Sequence, residues 1–123
     1  MAKLRRPVPV IFATALSLFL ALATGVAGAH ATKERSVPED GASVRGSPPV
    51  IAMMFDAPIR ITMIALTGEG GQALSLVRND DMAPVTRFEA APEPLAPGRY
   101  EVRWRGLAED GHAMEGRFSF TVE

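Results

Sequence analysis

The chain contains no cysteine. Disulfide staples and thiolate metal ligands are therefore excluded, and the fold must stand on its core alone. Histidine is almost as scarce, with only His30 and His112 in 123 residues. There is one tryptophan and one tyrosine, and the formal net charge is −1. No basic excess is available for nucleic acid. No serine sits in a Gly-x-Ser-x-Gly elbow, so the usual hydrolase nucleophile is missing. The glycine-rich stretch Gly68-Glu69-Gly70-Gly71 has no lysine beside it. It reads as a hairpin turn and not as a phosphate loop.

The long hydrophobic run is confined to one place. Lys3, Arg5 and Arg6 form a basic start, Val8 to Val26 is apolar, and Ala27-Gly28-Ala29 supplies small residues at its end. That order is expected of a secretory signal peptide over residues 1–29. An uncleaved anchor is the competing reading, because the run approaches the ~20 residues that span a bilayer. Nothing around Arg5-Arg6 supports a twin-arginine signal. Cleavage after Ala29 leaves residues 30–123 as one small domain. A cut after Ala31 also fits the small-x-small pattern and would remove His30. Residues 30–123 hold ten Lys and Arg against fourteen Asp and Glu. A mildly acidic, exported domain suits the periplasm and is compatible with attracting cations.

Prolines and glycines punctuate the rest, with short apolar runs between them, which predicts an all-β domain. Val50 to Phe55 is apolar on both faces and reads as a central strand. Ala57-Pro58 is expected to break it before a second strand starts at Ile59. A short run spans Gln72 to Val77. Between residues 78 and 97 the prolines suggest loops around one short edge strand, Val85 to Glu89. Tyr100, Val102 and Trp104 alternate with Glu101, Arg103 and Arg105, a half-buried strand. Phe118, Phe120 and Val122 mark the last. Six or seven short strands predict an antiparallel sandwich or a small Greek-key barrel.

Three residues are candidate metal ligands. His30, at the expected cut, would offer an imidazole and a free α-amine to one ion. Asp110 and His112 flank Gly111, and in an extended segment this spacing points both side chains the same way. Three nitrogens and one oxygen form a set suited to Cu(II), which also heads the divalent affinity order. The plainer reading is that Asp110-Gly111 is a common hairpin-turn pair and His112 a polar loop residue. Met53, Met54, Met63, Met82 and Met114 are scattered. They give no Met-x-Met cluster for Cu(I), and methionine in strands is usually core filling.

The sequence resembles the CopC family of periplasmic copper proteins. The resemblance is carried by Ala29-His30-Ala31, by Ser36-Val37-Pro38-Glu39-Asp40-Gly41-Ala42, and by Pro49 through Phe55-Asp56-Ala57-Pro58. It is strongest in Pro97 to Arg105, Asp110-Gly111-His112 and Gly116 to Val122. It implies an Ig-like Greek-key β-sandwich or barrel, and a Cu(II) site at His30, Asp110 and His112. It also implies a role in periplasmic copper binding and handover, often beside a CopD-type inner-membrane partner; a non-enzymatic monomer is expected. Two other classes stay open. One is a copper oxidase, which an amino-terminal histidine chelate would also suit. The other is a metal-free Ig-like interaction module.

Overall fold

The structure is a computed structural model that describes residues 3–4 and 32–123, with the side chain of Glu34 left aside. The expected leader, apart from residues 3 and 4, and His30 lie outside the described residues. Among the described residues there are eight strands and no helix. They are β1 (Lys33–Val37), β2 (Ala42–Val44), β3 (Ile51–Gly68), β4 (Ala73–Leu74), β5 (Leu76–Arg78), β6 (Val85–Pro92), β7 (Gly98–Ala108) and β8 (Ala113–Val122). The hydrogen-bonded order is β2-β8-β7-β3-β6-β5, with β1 and β4 also on β3. All pairings are antiparallel except β2 with β8.

The eighteen-residue β3 organises the fold. Its first part, Ile51 to Met54, lies between β1 and β6. Its second part, Ile59 to Gly68, pairs with β7. Between them the β6 register slips across Asp56-Ala57-Pro58, where Pro58 has no N–H to donate. Ile59 then pairs with both Val85 and Ala108. Ala57-Pro58 thus bends the strand and does not end it, contrary to the expectation of a break. The bend curls the sheet so that its two wings close over one core.

That core contains Ile51, Met53, Ile59, Ile61 and Leu66 from β3, Phe88 from β6, and Val102, Phe118 and Phe120 from the β7–β8 hairpin. Each such side chain contributes about 1.5–3 kcal/mol by leaving water. The alternation expected of the last two strands is observed: Tyr100, Val102 and Trp104 are buried while Arg99, Arg103 and Arg105 are exposed. Tyr100 donates its hydroxyl to the Ala96 carbonyl at 2.5 Å and stacks on Phe120. One expectation needs correction. The strand near Val85 is longer than Val85 to Glu89, and it is not an edge. It runs between β3 and β5, and Phe88 is fully buried. The edge on that side is the short β5, where Val77 is exposed.

The Ser36–Ala42 segment explains itself structurally. Ser36 is buried, the Val37–Pro38 peptide is cis, and Gly41 has φ +81°. The Asp40 carboxylate accepts the Ser119 backbone N–H at 3.0 Å, and Gly41 N–H donates to the Ser119 carbonyl at 2.7 Å. The chain is thereby turned from β1 on one wing to β2 beside β8 on the other.

Candidate metal site

The β7–β8 connection is a tight loop closed by two backbone bonds. Ala108 N–H donates to the His112 carbonyl and Gly111 N–H donates to the Ala108 carbonyl, both at 2.9 Å. Gly111 has φ +85°. Three residues between the bonded Ala108 and His112, the last a glycine in the left-handed region, make a favoured hairpin closure, and a side chain at that position would be strained. The sequence therefore sets the loop locally, and ten register pairs of β7 with β8 hold its base.

Within this loop Asp110 and His112 meet. The Asp110 carboxylate accepts the His112 backbone N–H through Oδ1 at 3.0 Å. Its Oδ2 lies 2.7 Å from His112 Nδ1. The two side chains are therefore in contact, through a turn and not through an extended segment. The pair was expected to share one side of an extended segment; instead the turn brings them together and the carboxylate reaches over it. His112 retains 65% of its side-chain exposure and Asp110 33%, so an ion can reach both from solvent.

The third candidate, His30, falls outside the described residues. Among the described residues no group of three His, Cys, Asp or Glu side chains is gathered in metal-binding geometry. Two residues after His30, the chain is held to β3. Thr32 N–H donates to Asp56 Oδ1, and Asp56 N–H donates to the Thr32 carbonyl at 3.1 Å. Sequence reasoning did not single out Asp56. The available signal was a carboxylate inside an otherwise apolar strand, immediately before Ala57-Pro58. Lys33 follows, its Nζ 4.7 Å from the centre of the Phe118 ring. Partial burial lowers its pKa, opposed by the charge of Asp40.

Trp104 also borders this end of the fold, four residues before the loop begins. Its ring makes an edge contact with Phe55, centroids 5.3 Å apart, and its Nε1 is buried without a hydrogen-bond partner among the described residues. Met53 is in the core and Met114 packs against it, whereas Met82 is exposed.

These features define a class: a small all-β sandwich that presents a carboxylate–imidazole pair on a hairpin at one end. The chain belongs to the CopC domain family, whose model matches residues 33–123. It is 30% identical over 116 residues to Protein YobA of Escherichia coli K12, covering 86% of this chain and 89% of that protein. Among solved structures it resembles CopC from Methylosinus trichosporium OB3b, with TM-score 0.66 and 24% identity, covering 76% of this chain and 94% of the other. It also resembles PcoC, a copper resistance protein from Escherichia coli, with TM-score 0.61 and 26% identity, covering 75% and 99%. Family and neighbours support a copper-related function.

Proposed function

We propose that this protein binds Cu(II) in the periplasm and hands it on, holding the ion through His30, Asp110 and His112. The observation that carries the reading is the 2.7 Å approach of His112 Nδ1 to Asp110 Oδ2 on a closed hairpin. Two donors about 2.0 Å from a first-row metal and at right angles to each other are themselves about 2.8 Å apart. A metal ion can therefore sit between these two atoms with little movement of the loop. The remaining carboxylate oxygen keeps its bond to the His112 backbone N–H and so continues to orient the loop.

The topology supports a contribution from the amino terminus. Thr32 is tied to Asp56, and three residues further along β3 Ile59 pairs with Ala108, where the site loop begins. The chain entering β1 and the β7–β8 loop are thus tied to the same bend of β3. An α-amine and imidazole from His30 would complete a three-nitrogen, one-oxygen set, the combination that favours Cu(II). Handover, for which a CopD-type membrane protein is the proposed recipient, needs an accessible ion. The exposure of His112 fits that need. Cu(II) titration of the exported protein against a competing chelator tests the reading. One equivalent bound, with a spectrum characteristic of nitrogen and oxygen ligands and lost in His112→Ala, is expected. Binding that survives His112→Ala unchanged would overturn it.

A further inference from the structure

The outer face of β7 and β8 carries a charge pattern that copper binding does not use. Arg99, Glu101, Arg103 and Arg105 point outward from β7, and Glu115, Arg117, Ser119 and Thr121 from β8. The register sets Arg105 opposite Glu115, and their side chains approach to 3.5 Å. It sets Arg103 directly opposite Arg117. Like charges facing each other across antiparallel strands repel and destabilise the pair. From the other side β3 brings only Met63 beside Arg105 and Ala65 beside Arg103, and neither can neutralise a guanidinium. Among the described residues no carboxylate lies within ion-pair distance of Arg103 or Arg117.

The same arginines line a cavity of about 360 Å³, with Met63 and Glu115 also on its wall. Their donors are forks suited to planar carboxylates. The face is also opposite in sign to the rest of the domain. It carries four arginines and two glutamates, while residues 32–123 elsewhere carry six Lys and Arg against twelve Asp and Glu. We propose that this face docks an acidic segment of a partner protein, whose carboxylates bridge Arg103 and Arg117 and relieve their repulsion. A membrane surface fits less well. Lipid-binding clusters gather about 4–8 basic residues, whereas here two glutamates interrupt four arginines on an acidic domain.

The test uses copper-free exported protein and a fluorescein-labelled oligoglutamate peptide, read by fluorescence anisotropy. Binding is expected at about 0.01 M salt, fading by about 0.15 M as the screening length falls from about 30 to about 8 Å. The double variant Arg103→Gln/Arg117→Gln should weaken it at least about tenfold, or about 1.4 kcal/mol. Its melting temperature should hold or rise, because the repulsion has gone. Arg35→Gln, exposed on β1, should leave peptide binding unchanged. The proposal is overturned by absence of salt-sensitive binding, or by equal loss in the Arg35 control, which would indicate net charge alone. Tighter binding to vesicles rich in anionic phospholipid than to the peptide would also overturn it. So would self-association, seen by sedimentation, that the double variant abolishes.

Discussion

Trp104 and Gly116 face each other across β7 and β8, and a Cβ at residue 116 would lie 2.8 Å from the Trp104 Nε1 and 2.9 Å from two further ring atoms. The indole fills the space where a side chain would stand. Because a rigid ring cannot yield as the tip of a flexible side chain could, Gly116→Ala should strain the hairpin by about 1–3 kcal/mol. Thermal unfolding would show it as a lowered midpoint. A midpoint equal to wild type would mean that the ring has room to shift.

A second stability prediction concerns Arg78 and Asp80. Arg78 donates to both carboxylate oxygens of Asp80 at 2.8 and 2.7 Å, and to the Ile61 carbonyl at 2.6 Å, while its guanidinium lies over Phe88. This joins the β5 edge to β3 where the β3–β7 register slips between Ile61 and Met63. The Asp80 side chain is only 3% exposed, and the bond from Arg78 holds its carboxyl below the ordinary carboxylate range. A depressed acid stabilises the fold above its unfolded pKa, about 3.9. That contribution is lost as pH falls through the folded value, because the unfolded chain then binds more protons. Asp80→Asn should cost about 1.5–3 kcal/mol near neutrality. The gap between variant and wild type should narrow as the pH is lowered below about 4. Denaturant titrations at several pH values check this, and a constant gap would contradict it.

Much of this was legible in the sequence for physical reasons. The β7 and β8 alternation is written residue by residue, because one face meets the core and the other meets water. Asp110-Gly111-His112 could be read as a turn and as a candidate donor pair, and it is a turn in which the two side chains meet. The fate of Ala57-Pro58 was not legible. Proline signals a lost hydrogen bond, but whether the chain stops or bends depends on the partners on either side, and β1, β6 and β7 are all remote in sequence. The same limit hid β6 as an interior strand, since its burial comes from β3 and β5, and Pro92 at its end and the prolines flanking it argue for an edge. Asp56 was missed because its role, holding Thr32, exists only once β1 has paired with β3.

Copper at the hairpin should be visible through the single tryptophan. Trp104 lies on the strand that leads into the loop. Cu(II) should quench its emission with one-to-one stoichiometry. Zn(II), with a filled d shell, should quench far less when bound at the same place. A fluorescence titration with each ion separates the cases, and equal weak effects would place copper away from this hairpin.

The amino terminus gives the sharpest test of the proposed site. If His30 chelates through ring and α-amine together, that amine must be free. One added residue before His30 converts it to an amide, which is no longer a basic ligand. The imidazole is retained, and Asp110 and His112 keep the loop geometry that the hairpin bonds impose. The change therefore removes one donor and the chelate ring without touching the folded core. Protein beginning at His30 should bind Cu(II) at least about a hundredfold more tightly than the same protein with an added Gly, or about 2.7 kcal/mol. His112→Ala should be comparably damaging. Asp110→Asn should be milder, since an amide oxygen can still accept the His112 backbone N–H. Mass spectrometry of the exported protein first shows whether the cut follows Ala29 or Ala31. Competitive titration of the two forms then decides: indistinguishable affinities would eliminate the amino-terminal chelate even if copper still bound at Asp110 and His112.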